Sequence, residues 1–265
     1  MKQQASLSRV TIKDVRERIR NAEHTGPTGN LAPGHVQANL VILPEEYALD
    51  FLKFCIRNPK PCPVLEVTDP GSPFPSLLAP EADLRTDVPK YRVYKRGQLV
   101  EEPTDIRSYW RDDLVSFLLG CSFTFERALL DAGLRLAHLD QNLNVPMYVT
   151  NRECIPSGPF SGPMVVSMRP YRADEISLVV TVTARYPTMH GAPVHIGSPE
   201  TLGIGDLHAP DFGDDITIGE NEIPVFWACG VTPQVVAMRA RLPFMVTHSP
   251  GHMFITDRLD SEYLI

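Results

Sequence analysis

The stretch from Cys229 to Pro233 has residue types and spacing that could perform chemistry. A run of strand-favouring residues precedes Cys229 and Gly230, Thr232 can cap a helix, and Pro233 suits a first helical turn. A helix start offers free amides to an anion, and it can lower the pKa of a thiol. We therefore expect Gly230 and Thr232 to bind a substrate oxyanion and Cys229 to be reactive. A buried, inert cysteine in a tight connection would give the same pattern.

Four histidines lie in two turns rich in glycine and proline. His190 and His195 occur in HGAPVHIG, and His248 and His252 occur in THSPGH. Glycine and proline between the members of each pair exclude the helical His-x-x-x-His zinc geometry. Imidazoles that converge on one cleft could act as general acid and base. The alternative for each histidine is a structural role.

Two arginines, one aspartate and one glycine complete the candidate site. Arg169 and Arg152 could grip a substrate carboxylate in a two-pronged manner, or either could pair with one of the 32 acidic residues. Asp206 could be a base, although aspartate beside glycine also stabilises turns. The amide of Gly197, in a second Gly-Ser-Pro turn, could bind an oxyanion.

Bulk composition excludes several classes of partner. The chain has 265 residues, a net charge of −7 and no basic cluster, which argues against nucleic-acid binding. No apolar run approaches membrane-spanning length, and the amino-terminal residues lack a signal core. Five cysteines without a C-x-x-C pair are typical of a reducing compartment, so we expect a cytoplasmic protein. Its partner is expected to be a small carboxylate substrate, and self-association into a homo-oligomer stays open.

Strand and helix patterns alternate at both ends of the chain. This alternation predicts an α/β fold, a three-layer sandwich with a mostly parallel or mixed sheet. The middle of the chain reads as a smaller inserted α+β domain. We place this domain at 108–186 and the main, discontinuous domain at 1–107 and 187–265. Ser108 to Leu119 is predicted to be a helix, and Gly26 to Gly34 a surface loop that could alternatively approach a ligand.

Ordered segments along nearly the whole chain carry a family resemblance. They read NPKPCP, TDVPKYRVY, GCSFTFE, NVPMY, VVSMRP, HGAPVHIG, PDFGD, PVFWACGVTPQ and THSPGHM. In this order they resemble the D-glutamate cyclase family, from about Ile12 to Asp257. The resemblance implies a two-part α/β fold and a lyase reaction, in which D-glutamate closes to 5-oxo-D-proline and water. The site residues proposed above come from the residues themselves and not from the family.

This reaction requires no redox or carrier cofactor. The sequence contains neither a P-loop nor a Rossmann fingerprint, because GIGDL is too short to match G-x-G-x-x-G. No metal-ligand spacing is recognisable, so we expect no metal. Two alternatives stay open: a metal-assisted or thiol-dependent hydrolase of a small amide or acid, and a non-catalytic carboxylate-binding partner in 5-oxoproline metabolism.

Overall fold

Antiparallel strands form two sheets in the computed structural model, which describes residues 11–265. The elements in chain order are α1 (Ile12–Arg20), β1 (His35–Pro44), α2 (Glu45–Arg57), β2 (Val64–Val67), β3 (Tyr91–Lys95), β4 (Gln98–Glu101), β5 (Leu114–Gly120), α3 (Phe123–Asp131), α4 (Ala137–Asp140), β6 (Met147–Glu153), β7 (Pro163–Arg172), α5 (Ile176–Ala184), β8 (His195–Ile196), β9 (Glu222–Ala228), α6 (Thr232–Ala240), β10 (Met245–His248) and β11 (Phe254–Leu259).

The larger sheet has seven strands and the smaller has four. Strand order in the larger sheet is β2-β5-β1-β10-β3-β4, with β11 also paired to β1, and in the smaller sheet it is β6-β7-β9-β8. Every pair of named strands is antiparallel. The mixture of helices and strands is confirmed, whereas the predicted mostly parallel or mixed sheet is wrong. The three-layer arrangement stays a prediction.

The error has a topological cause. Strands β1 and β2 are joined by helix α2 and run in the same direction, as a βα repeat predicts. They are not neighbours, because β5 lies between them and is antiparallel to both. The smaller sheet repeats this arrangement, with β9 between β7 and β8. An inserted strand therefore turns each expected parallel pair into two antiparallel ones.

Strand β5 replaces the second half of the helix predicted from Ser108 to Leu119. Its apolar residues alternate between two cores, with Leu114 and Leu118 on one face and Phe117 and Leu119 on the other. A strand that is buried on both faces has a nearly continuous apolar sequence, which periodicity alone does not distinguish from a helix. Only a short 3₁₀ turn occupies the start of the predicted helix.

The proposed domain division stays a prediction, but two placements constrain its boundaries. Strand β5, from the predicted smaller domain, is an interior strand of the larger sheet. Strands β8 and β9, from the predicted main domain, lie in the smaller sheet. Side chains of α2 and α6 pack on one face of the larger sheet, and those of α3 and α5 pack on one face of the smaller sheet.

Candidate active site

A buried ion pair lies on the helix-covered face of the smaller sheet. Arg169 is on β7 and fully buried, and its guanidinium donates to Glu126 on α3 from Nε at 3.0 Å and from Nη2 at 2.5 Å. The remaining donors reach Ser167 Oγ at 3.2 Å and Ser122 Oγ at 3.1 Å. All three nitrogens of this arginine therefore have protein partners. Strand β7 continues beyond Arg169 to Arg172, so this arginine lies within a strand and not at its end.

His138 adds a buried imidazole to this ion pair. Its Nε2 lies 3.1 Å from Glu126 Oε1, at ion-pair distance but poorly aligned for a hydrogen bond. An ionised carboxylate can only accept, so this contact favours the tautomer that carries its proton on Nε2. The other ring nitrogen, Nδ1, is buried and has no partner within residues 11–265. His138 therefore presents an unused nitrogen beside an oriented carboxylate.

Charge keeps Glu126 ionised despite its burial. Burial alone would raise the pKa of this carboxyl, but the nearby His138 and Arg169 outweigh that effect and lower it. One oxygen, Oε2, has no hydrogen-bond partner in the described chain. Glu126 is thus a buried anion that can hold an imidazole in place and stabilise its protonated form.

Two adjoining cavities open beside His138. The first has a volume of about 430 Å³, and its wall includes His138, Phe123 and Asn144. The second has a volume of about 390 Å³, and its wall includes Arg92 and His252. Both cavities share Pro27, Asn144 and Asp214 as lining residues. Each is large enough for a small amino acid, and because they share lining residues we call these two adjoining cavities the groove.

Four loops build this groove, and close backbone approaches hold them together. Thr28 donates from its backbone N–H to Gly251 O at 2.8 Å, and a Cβ on Gly251 would collide with the Asn144 amide. A Cβ on Gly213 would likewise overlap Val145 O. The Gly26 to Gly34 segment contributes Pro27, Gly29 and Asn30 to the wall of the first cavity, and its approach to a ligand stays a prediction.

The turn after β9 follows the predicted course with one correction. Strand β9 leads through Cys229 and Gly230 into α6, as expected, but the cap residue is Val231 and not Thr232. The Thr232 hydroxyl instead donates to Cys229 O at 2.7 Å and accepts from Val165 N at 3.0 Å. The Thr232 amide also donates to Cys229 O, so it is already engaged within the turn.

Cys229 and Gly230 lie inside the protein, one apolar layer behind the first cavity. Phe123 lines that cavity and packs in the same cluster as Cys229. A Cβ on Gly230 would overlap the Asn39 amide. Burial raises the pKa of the Cys229 thiol to about 11, although the Arg169 guanidinium acts in the opposite direction. A thiolate at Cys229 is therefore scarce near neutral pH.

The predicted histidines differ in their burial and in their position relative to the cavities. His190 is buried, with Nδ1 2.6 Å from Lys60 O, and it is close enough to Arg169 for that charge to affect its pKa. His248 is also buried, and its Nδ1 accepts from Leu40 N at 3.1 Å. His252 lines the second cavity. Of these three imidazoles, only that of His252 lines either cavity.

His190 gives the folded protein a sensitivity to acid. Burial lowers its pKa from 6.5 to about 4, so the folded protein holds it neutral while the unfolded chain protonates it. Stability is then lost as pH falls from 6.5 toward 4, by about 2–3 kcal/mol from this residue. We expect His190→Gln to flatten the dependence of unfolding free energy on pH, measured by urea titration. A matched change at exposed His208, whose pKa is raised by the hydrogen bond with Asp215, should not flatten this dependence, and an equal slope in both variants would contradict the prediction.

Four predicted residues lie away from the groove. His195 packs on Phe226, on the opposite face of the smaller sheet from Arg169, because Phe226 alternates with Val225 and Trp227. The others are placed as follows: Gly197 donates its amide to Pro224 O, Asp206 is exposed and accepts from His208 N, and Arg152 is exposed at the end of β6. The structure does not bring these four residues together with the buried candidate residues.

Sequence reasoning missed His138 as a functional residue and gave Glu126 no role. A single histidine between apolar residues carries no local signal, since most such residues are structural. Glu126 at a helix start reads as an ordinary first-turn acid. What distinguishes them is their burial beside Arg169, which is 43 residues from Glu126 in the chain. That proximity exists only in the folded protein.

Three further observations on residues 11–265 concern metal binding, membrane-spanning helices and the cysteines. No three histidine, cysteine or acidic side chains in this range lie close enough together to hold a metal ion. No helix in the same range is sufficiently long and apolar to cross a membrane. All five cysteines are buried and free.

Comparison with known proteins places the chain in a family. The sequence model of D-glutamate cyclase matches residues 115–257. A protein of Rubrobacter xylanophilus is 74% identical over 250 residues, covering 94% of this chain and 96% of that protein. A Bacillus licheniformis protein is 61% identical over 250 residues, covering 94% and 95%, and a Geobacillus kaustophilus protein is 59% identical over 253 residues, covering 96% of each. All three are provisionally named hydro-lyases. The chain therefore belongs to the D-glutamate cyclase family and is a lyase of the hydro-lyase type.

Proposed function

We propose that this protein closes D-glutamate to 5-oxo-D-proline with release of water, in the groove beside His138. The observation that carries the proposal is the buried, unpartnered Nδ1 of His138, in a ring whose Nε2 lies 3.1 Å from Glu126 Oε1. The family supports the reaction, and the groove has room for a small amino acid. The substrate is a small carboxylate, as the sequence analysis expects.

The reaction needs a proton carrier and no net supply of protons. The amino nitrogen attacks the γ-carboxyl carbon, a C–N bond forms, and a C–O bond breaks. The ammonium group loses two protons, and the departing carboxyl oxygen takes both and leaves as water. One base that accepts protons from nitrogen and returns them to oxygen therefore suffices.

His138 has the properties that this carrier requires. Its Nδ1 can accept a proton from the substrate ammonium, while Glu126 stabilises the resulting imidazolium. Arg169 keeps Glu126 ionised and therefore acts on the reaction through it. Holding the amine and the γ-carboxyl in one small groove removes much of the entropic barrier to ring closure.

Direct assay tests the proposal. Purified protein is incubated with D-glutamate, and 5-oxoproline is measured by chromatography on a chiral column, with L-glutamate and D-glutamine as comparison substrates. We expect 5-oxo-D-proline to form from D-glutamate at a rate proportional to protein concentration. Absence of turnover with D-glutamate would overturn the proposed substrate. Turnover of another acid in the same assay would identify that acid as the substrate instead.

The thiol-dependent alternative makes a different prediction for Cys229. Because its pKa is raised to about 11, we expect the thiol to be protonated and inert at neutral pH. Cys229→Ala should keep kcat for the assayed acid within about threefold, since no thiolate step is lost. Loss of activity with retained folding by circular dichroism would favour the thiol-dependent hydrolase instead.

The non-catalytic alternative predicts binding without product. In that case calorimetry would detect D-glutamate binding while the assay above detected no 5-oxoproline. The buried, oriented His138 favours the catalytic reading, since a simple carboxylate binder gains nothing from an ionised Glu126 behind an imidazole. A cytoplasmic location and self-association stay predictions.

A further inference from the structure

Cyclisation leaves one group of glutamate unchanged, and the site must hold it. The α-carboxylate takes no part in bond making, so it can serve as the anchor that positions the reacting end. Sequence analysis gives this role to Arg169. In the folded protein Arg169 is fully buried, and all three of its nitrogens already donate to Glu126, Ser122 or Ser167. Another cation must hold the α-carboxylate.

Arg92 meets the requirements of such an anchor. It lines the second cavity, and its side chain is 20% exposed. Its Nε donates to Glu102 Oε1 at 2.8 Å, and its Nη1 donates to Gln234 Oε1 at 3.2 Å. A guanidinium has five N–H donors, so these two bonds leave donors for a carboxylate. Arg169 has no comparable number of free N–H donors.

The surroundings of Arg92 hold its guanidinium in place before any ligand arrives. Besides the bonds to Glu102 and Gln234, its Cζ lies 5.7 Å from the centroid of the Phe212 ring. Ser249 in turn donates to Glu102 Oε1 at 3.3 Å, which fixes the carboxylate that positions the arginine. A pre-positioned guanidinium loses little freedom when a carboxylate binds, which favours affinity.

Asn144 connects this anchor with the reacting end. It lines both cavities, and its Nδ2 donates to Pro250 O at 3.4 Å. Its Oδ1 is buried and has no donor within the described residues. An amide oxygen accepts hydrogen bonds, so an amino group is a suitable partner for it. A ligand that spans the groove would place its amino group at Asn144, between Arg92 and His138.

We propose that Arg92 binds the α-carboxylate of the substrate and that Asn144 Oδ1 accepts a hydrogen bond from its amino group. This assignment rests on the proposed function and specifies the substrate class as an α-amino dicarboxylate. The distal carboxyl then lies toward His138. An amine that lacks the α-carboxylate loses the contact with Arg92, whereas a dicarboxylate that lacks the amino group keeps the contact with Arg92 and loses the one with Asn144.

Two probes separate these contacts from catalysis. Glutarate lacks the amino group and cannot form the lactam, so its affinity, measured by calorimetry, reports the Arg92 contact without turnover. We expect Arg92→Met to weaken glutarate binding and to raise KM for D-glutamate, each by about 10- to 100-fold, because a charge-assisted hydrogen bond is lost. The kcat value should fall as well, because the anchor positions the reacting end of the substrate. Asn144→Leu should weaken D-glutamate binding but leave glutarate affinity unchanged.

Arg111 provides a matched control. It also pairs with a carboxylate, Asp113 at 2.8 Å, and it also lies over an aromatic ring, that of Phe244 at 4.9 Å, but it lines neither cavity. Arg111→Met should change neither glutarate affinity nor KM. If the Arg92→Met protein fails to fold, Arg92→Gln provides the same test, since glutamine keeps hydrogen-bonding capacity at the position.

The outcomes are distinguishable. Unchanged glutarate affinity in a folded Arg92 variant would overturn the anchor, whether or not the wild type makes 5-oxoproline. Binding of glutarate that depends on Arg92, together with no turnover of D-glutamate, would support the anchor and overturn the proposed reaction. Equal loss of D-glutamate and glutarate affinity in Asn144→Leu would overturn the amino-group contact.

Discussion

Replacing His138 with glutamine should lower kcat for D-glutamate cyclisation by about 10²- to 10⁴-fold, the usual contribution of a positioned general base. Glutamine fills much of the space of the imidazole and can still donate to Glu126, but it cannot carry a proton between nitrogen and oxygen. KM should change little, because the proposed carboxylate anchor lies elsewhere. The measurement is steady-state 5-oxoproline formation as a function of D-glutamate concentration.

The control for this variant is the same change at His208. That residue is exposed, with 63% of its side chain accessible, and it pairs only with Asp215 on the surface. His208→Gln should leave kcat within about twofold. If His138→Gln is folded and retains more than a tenth of wild-type kcat, His138 is not the proton carrier. Glu126→Gln, which keeps the shape but removes the negative charge, should then be measured as the next candidate.

Replacing Arg169 with methionine should lower the free energy of unfolding by about 3–5 kcal/mol. Removing one partner of a buried pair leaves the other charge desolvated and uncompensated, and this costs more than the pair itself contributes. Glu126 would then bind a proton more readily, so part of the lost stability should return as pH falls toward the range in which carboxylates protonate. Urea denaturation at several pH values measures both effects.

An exposed ion pair provides the comparison. Arg239 on α6 donates from Nη1 to both oxygens of Glu153 at 3.0 Å, and about half of each side chain is accessible. Arg239→Met should cost less than about 1 kcal/mol, because water already screens that pair. Equal losses in the two variants would show that the Arg169 pair contributes no more than a surface contact.

Local sequence signals predicted the elements that depend on neighbouring residues. Thr11 and Asp14 form both bonds of a capping box at the start of α1, as their residue types and spacing indicate. The course from β9 through Gly230 into α6 is confirmed. These features depend on a few consecutive residues, so their physical causes can be read directly from the sequence.

Features set by distant parts of the chain were not predictable in this way. The sequence of β5 fits a helix or a strand buried on both faces equally well. Its pairing with β1 and β2 makes it a strand. Arg169 was selected because it follows apolar residues, yet its partner Glu126 comes from a helix 43 residues earlier. His138 becomes notable only beside them. Single-sequence patterns carry little information about such pairings.

The intercalated strands have a consequence for the order of assembly during synthesis. Strands β1 and β2 leave the ribosome before β5, and β7 and β8 before β9, so the strand that lies between each of these pairs is made after both of its neighbours. Until then the flanking strands lack the ladder partner between them, and their unpaired edges can attract other chains. Pairings between distant segments also form slowly. Nascent chains stalled before Gly120 should therefore depend on chaperones, whereas chains released beyond β11 should not.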